Sequence, residues 1–247
     1  MKKILILLFI IFTGATYAET ISINWLNGNS VYATSTCTVG DDLILPAAPT
    51  PEYGYHFTGW TTQYTFLEYI ESTGTQYIDT GLSTKNFDIS VKYEFTAAQT
   101  STDQILFGST ESGNLYYLDF TLSGGWVRYG TIISPNLGVT PVANRIYTVD
   151  VKNGVWYMDD SLLFDASAQG DFTSSVTFKI FKGSSNFSNY GKYRCYSFEI
   201  KENNTLVRNF IPAKRLTDNA IGMYDTVTNT FFTNAGTGEF IAGPVAQ

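Results

Sequence analysis

Nucleophilic catalysis needs a base beside a serine, threonine or cysteine, and the chain has a single histidine, His56. It sits in Tyr55-His56-Phe57, where it fills an ordinary strand position with no nucleophile paired to it by spacing. The two cysteines, Cys37 and Cys195, lie far from each other and from His56, so no zinc-type ligand spacing exists. Glycoside hydrolysis asks for a pair of carboxylates flanking one bond. On a single strand, that means acids two residues apart, because alternate side chains share a face. No glutamate is followed two residues later by an aspartate. Asp159-Asp160 are adjacent and would face opposite ways in a strand, so a turn before Ser161 accounts for them better. Carboxylates brought together from separate strands stay open at this point. Calcium would need a loop rich in oxygen ligands, and no Asp-x-Asn-x-Asn-Gly segment occurs. Asp79 and Asp225 could serve a metal, but each is also placed to accept a hydrogen bond from the backbone just after it. No cofactor is expected.

Sugar recognition uses different residues: an aromatic face for the apolar side of a ring, with Asp, Asn or Arg for its hydroxyls. Around Ser123-Gly124-Gly125, a period of two puts Tyr116, Leu118, Phe120, Val127 and Tyr129 on a core side. The opposite side receives Tyr117, Asp119, Trp126 and Arg128. These four are the candidate carbohydrate-binding residues. Packing against a neighbouring loop or module is the alternative account of the same set.

The elements that would carry them are strands. Phe87, Ile89, Val91, Tyr93 and Phe95 alternate with Asp88, Ser90, Lys92 and Glu94, the pattern of a strand with one dry and one wet face. Asn153-Gly154 separates two such runs, a dipeptide that suits the twist of a tight hairpin. Further strands fit residues 177–181, 193–201 and 205–210, and no window shows helical periodicity. Earlier in the chain, Ile21 to Trp25 alternates, Asn27-Gly28 signals a turn, and Val31-Tyr32-Ala33 continues as a second strand. A third is expected over Asp42 to Leu45.

The chain begins with Lys2 and Lys3, an unbroken apolar run from Ile4 to Phe12, and small residues at Thr16 and Ala18. That is the plan of a secretory signal cut after Ala18, and the run is far shorter than the roughly 20 residues a membrane span requires. Losing Lys2 and Lys3 leaves 13 basic residues against 22 acidic ones. An acidic surface repels phosphate backbones and anionic lipids, so neither nucleic acid nor membrane insertion is expected after signal removal. Aromatic residues make up 16% of the chain, which suits half-buried sheet surfaces. Cys37 and Cys195 fall in different segments, so two free or buried thiols fit better than a disulfide.

Two resemblances refine this. The run from Pro46 to Trp60, with Gly54, Tyr55, Phe57, Gly59 and Trp60 after a proline-spaced loop, resembles the closing signature of the internalin-type B-repeat of bacterial surface proteins. It implies a small β-grasp-like module over residues 19–62, with a spacing or adhesive role. Leu67-Glu68-Tyr69-Ile70-Glu71-Ser72-Thr73-Gly74-Thr75-Gln76-Tyr77-Ile78-Asp79-Thr80-Gly81 resembles the opening of a laminin-G-like, concanavalin A-like domain. The segments 206–213, 221–226 and 231–238 resemble its close. That resemblance implies a two-sheet jelly-roll sandwich over residues 66–247, whose common role is binding, often to glycans.

The reading is therefore an all-β chain: a signal peptide over residues 1–18, a β-grasp-like module, and a jelly roll. The function expected is non-catalytic recognition at or outside the cell surface, of a glycan or a surface protein. A structural spacer or coat is the competing class, and a glycan hydrolase of this fold the third.

Overall fold

The computed structural model describes residues 6–8, 20–27, 30–38, 44–50, 63–99, 104–111, 113–183 and 190–246; they form strands, turns and loops, with no helix among them. His56, the Gly54–Trp60 signature, the Ala18-Glu19 junction and Asn186 lie outside the described residues. The chain divides into two compact units, residues 1–65 with 215–218, and residues 66–214 with 219–247.

The first unit holds β1 (Ile6–Leu8), β2 (Thr20–Asn27) and β3 (Ser30–Thr38) in one antiparallel sheet, in that order. Trp25 lies opposite Ala33 and Asn27 opposite Ser30, the tight reversal that Asn27-Gly28 signals. Ile23 and Trp25 are buried, and the Trp25 indole N–H donates to Ser35 Oγ at 2.9 Å. The expected third strand over Asp42–Leu45 does not continue through Ile44 and Leu45. Those two are exposed and form no ladder, and Pro46 and Pro49 remove the donors a ladder would need. Asp42 and Leu43 lie outside the described residues. The third strand of this sheet is β1 instead. A short strand, β4 (Tyr64–Phe66), spans the division between the units.

The second unit carries β5 (Ile70–Glu71), β6 (Ile78–Lys85), β7 (Asp88–Phe95), β8 (Gln104–Ser109), β9 (Leu115–Thr121), β10 (Gly124–Gly130) and β11 (Ile132–Ile133). They are followed by β12 (Ile146–Lys152), β13 (Val155–Met158), β14 (Ser161–Asp165), β15 (Thr173–Ile180), β16 (Tyr193–Glu202), β17 (Thr205–Arg215), β18 (Ile221–Asp225), β19 (Thr230–Thr233) and β20 (Ile241–Ala242). A six-stranded sheet runs β11-β10-β9-β8-β15-β6. A larger one runs β14-β13-β12-β7-β16-β17-β18-β19, with β5 and β20 paired alongside. The inner faces of both supply one core, which makes the unit an antiparallel sandwich.

Alternation does the sorting. On β7, Ile89, Val91, Tyr93 and Phe95 are buried, and on β9 so are Tyr116, Leu118 and Phe120. The core is aromatic: Phe107 stacks on Trp156 at 6.0 Å, and Tyr116 meets Trp156, Tyr129 and Phe178 edge-on between 5.1 and 5.4 Å. Edge-to-face pairs of this kind add about 0.5–1.5 kcal/mol each beyond the area they bury. The Tyr116 hydroxyl, deep in the core, donates to the Phe87 carbonyl at 2.7 Å.

Candidate functional site

The two strands that flank the Thr121–Gly124 reversal put the four predicted residues on one face. Trp126 lies opposite Asp119, and Arg128 opposite Tyr117, while Val127 and Tyr129 point into the core between them. The Arg128 guanidinium carbon stands 5.7 Å from the centre of the Tyr117 ring, a cation–π contact. The free edge of β10 is closed by the segment after β11. Ser134 Oγ accepts from the Val127 N–H at 2.8 Å, the Ser134 N–H donates back to Val127 at 3.0 Å, and the Leu137 N–H donates to Gly125. The register of this hairpin is therefore pinned from both sides.

The face is less open than alternation alone suggests. Trp126, Tyr117 and Arg128 are half-buried, and Asp119 is buried. Asp119 lies opposite Ile105 of β8, which is buried yet belongs to the outer face rather than to the core. The connection from β15 to β16 explains this. A Cβ on Gly191 would meet the Ile105 carbonyl oxygen at 2.4 Å, and one on Gly183 the Ile105 side chain at 3.1 Å, so both ends of that connection lie against β8. Glycine at these places allows the approach. Within the same connection, Lys182 donates to the Tyr190 hydroxyl at 2.8 Å and stands over the Tyr190 and Tyr77 rings. The accessible part of the candidate face is thus Trp126, Tyr117 and Arg128, with Asp119 at its covered side.

Farther along the same face, Lys179 of β15 lies opposite Gly108 and Asp79. Its ammonium donates to the carbonyl and hydroxyl oxygens of Thr177, both at 2.9 Å, and sits 3.7 Å from Asp79 Oδ2. Burial lowers the Lys179 pKa from its ordinary value, and the Asp79 charge opposes that shift.

Asp79 and Asp225 are occupied as turn residues. Asp79 Oδ1 accepts the Gly81 N–H at 3.0 Å, and Asp225 Oδ1 accepts the N–H groups of Asn209 and Val227. Asp159 and Asp160 both adopt left-handed backbone conformations, at φ 48° and 61°, in the reversal between β13 and β14. Among the described residues, no group of three or more His, Cys, Asp or Glu is placed to hold a metal ion. Nor is any helix long and apolar enough to cross a membrane. Cys195 is a free, fully buried thiol that donates to the Ser197 carbonyl, and burial pushes its pKa well up. The Cys37 side chain lies outside the described set.

A second polar group, on the outer face of the larger sheet, carries no signal along any one strand. Glu94 of β7, Arg194 of β16 and Glu71 of β5 lie directly opposite one another across three strands. Arg194 Nε donates to Glu71 at 2.9 Å and its Nη1 reaches Glu94 at 3.4 Å. A bulge after Cys195 shifts the ladder by one residue, and the Tyr196 hydroxyl donates to Glu94. Here are two carboxylates from separate strands, the arrangement that spacing along one strand is blind to. Arg194 bridges the two, and Glu94 is further engaged by the Tyr196 hydroxyl, so both carboxylates are taken up by protein partners. The arrangement is an ion-pair network that joins strands.

Comparison of the chain with protein-family models, with curated proteins and with solved structures finds no match.

Proposed function

We propose that this chain is a secreted or cell-surface recognition protein without catalytic activity, and that it binds glycan on the outer face of the six-stranded sheet. On this reading the sandwich is a concanavalin A-like jelly roll, preceded by an internalin-type B-repeat-like module of β-grasp kind. One observation carries the proposal: the β9–β10 register sets Trp126 opposite Asp119 and Arg128 opposite Tyr117, all four away from the core. An indole and a phenol ring give stacking surface for a sugar, and the Arg128 guanidinium gives directional bonds to hydroxyls, while the buried Asp119 borders the face at its covered side.

A glycan array probed with the secreted protein tests this, followed by Trp126→Ala. The expected outcome is binding to at least one glycan class, reduced more than tenfold by the substitution. Because Trp126 is half-buried, its truncation should cost about 1 kcal/mol of stability, against about 3–5 for Trp156→Ala in the core. An empty array together with self-association in the ultracentrifuge would replace recognition by a coat or spacer role.

A further inference from the structure

At one end of the sandwich, the turns after β6, β12 and β16 and the segment before β15 surround a cleft of about 390 Å³, a size in the lower part of the range for small-molecule sites, about 300–1,000 Å³. We propose that this cleft is a separate binding site for a neutral polyhydroxyl ligand, a single saccharide unit. It shares a ligand class with the sheet face but none of its residues.

The donor set points to that chemistry. Two carboxylates line the cleft, and each has one oxygen engaged by the protein: Asp88 Oδ1 accepts the Asn153 N–H at 2.7 Å, and Asp171 Oδ1 accepts from Asn86 at 2.8 Å. Among the described residues, no hydrogen bond reaches their second oxygens. The side-chain amides of Asn153, Asn203 and Asn204 also line the cleft and make no hydrogen bond within the described protein. An amide both donates and accepts, as a sugar hydroxyl does, while a carboxylate oxygen takes a hydroxyl proton. No lysine, arginine or histidine lines the cleft, which leaves nothing to bind an anion. The two carboxylates are outnumbered by neutral amides, whereas a calcium ion asks for six to eight oxygens, charged ones prominent among them.

Turn geometry by itself explains asparagine at three of these places. Asn153, Asn203 and Asn204 have φ of 50°, 50° and 61°, and left-handed turns favour asparagine or glycine. Tyr129 is the observation that turn geometry does not explain. Its ring is sealed in the core against Tyr116, Trp156 and Phe172, leaving the residue 2% exposed. Yet it lines the cleft, and its hydroxyl has no hydrogen-bond partner among the described residues. Asp88 and Asp171 line the same cleft, and burial first, then their charges, raise the Tyr129 pKa. The ring is fixed by the core while the residue lines the cleft, so the hydroxyl is held in place and open to a hydrogen bond from whatever enters. Gly154 makes the geometry feasible: a Cβ there would press to 3.0 Å from the Tyr129 ring.

The test is saturation-transfer NMR of the whole secreted protein with glucose, galactose, mannose and N-acetylglucosamine, each offered separately. Two variants address the cleft without unfolding it. Tyr129→Phe removes only the hydroxyl, and the joint change of Asn203→Gly with Asn204→Gly removes two amides at positions where glycine suits the backbone. At least one sugar is expected to bind the wild type, about tenfold more weakly after Tyr129→Phe, and not measurably after the double change. Trp126→Ala should leave this binding intact. Tyr129→Phe should melt no lower than wild type, because the lost hydroxyl had no partner. Binding by none of the four sugars overturns the proposal, as does binding that survives both cleft variants. Loss with Trp126→Ala alone also overturns it and supports the sheet-face reading instead.

Discussion

Gly108 lies opposite Tyr117 across the β8–β9 ladder, and a Cβ on it would come within 1.8 Å of the Tyr116 carbonyl oxygen and 2.6 Å of the Tyr117 Cβ. Its φ of 137° is a conformation that side chains avoid. The outer face is therefore floored by bare backbone between Tyr117 and Lys179, the residue opposite Gly108 on its other side. Gly108→Ala combines backbone strain with overpacking and should lower stability by about 3–5 kcal/mol. Urea unfolding measures this directly. A midpoint equal to that of wild type would mean that β8 does not run this close to β9.

The Glu71–Arg194–Glu94 network makes a different prediction. The two glutamate side chains are 16% and 9% exposed and the arginine 29%. Arg194→Met strands two largely buried carboxylates, a loss of about 2–4 kcal/mol once the partial exposure of the pair is allowed for. Glu94→Gln keeps an acceptor for Tyr196 and should cost less. Neither the wild type nor Glu94→Gln should release reducing ends from polysaccharides. Release by the wild type and its disappearance in Glu94→Gln would turn this network into a catalytic site.

What could be read from the sequence was whatever has a local period or a local turn code. The alternation of Asp88–Phe95 gives β7 its buried face, and Asn153-Gly154 takes the left-handed pair of conformations a tight hairpin needs, with φ of 50° and 78°. β8 was illegible because Gln104–Ser109 is buried on both faces and does not alternate. Alternation sets Asp119 on the side of β9 away from the core, but it lies opposite Ile105 of the neighbouring strand, which a connection some sixty residues later packs against. No pattern around Asp119 encodes that. The cleft was hidden for the same reason. Its asparagines announce turns, and only the strand order shows that those turns gather at one end beside the Tyr129 ring.

On the proposed secretory reading, Thr16 and Ala18 frame the cleavage site after the apolar run. Secreted protein should begin at Glu19, as read by Edman degradation or intact mass. Cleavage there would remove Ile6–Leu8, the strand paired with β2, and leave the β2–β3 hairpin without that neighbour. Secreted material that begins within residues 1–10, or that keeps the whole segment, would overturn the signal-peptide reading.

Alkaline pH should unfold the protein through groups buried in neutral form. Cys195, Tyr93, Tyr116 and Tyr193 are all fully buried, and in each burial is the main cause that raises the pKa above the ordinary values of 9.0 for a thiol and 10.0 for a phenol. In the unfolded chain these groups lose their protons near those ordinary values, while the folded protein holds them. Above about pH 9 the unfolded state therefore binds fewer protons than the native state, and stability falls as pH rises. Below that pH all four are neutral in both states and contribute no slope. Each group can add up to about 1.4 kcal/mol per pH unit once its unfolded form has ionised. The urea midpoint should be flat between pH 6.5 and 8 on this account, then drop steeply beyond pH 10. The tyrosinate absorbance of the core tyrosines should appear together with unfolding rather than before it. Cys195→Ala should flatten the first part of the decline, between about pH 9 and 10. Tyrosinate absorbance from every tyrosine while the fold is intact would show that the core admits water, and would break the link between burial and the alkaline limit.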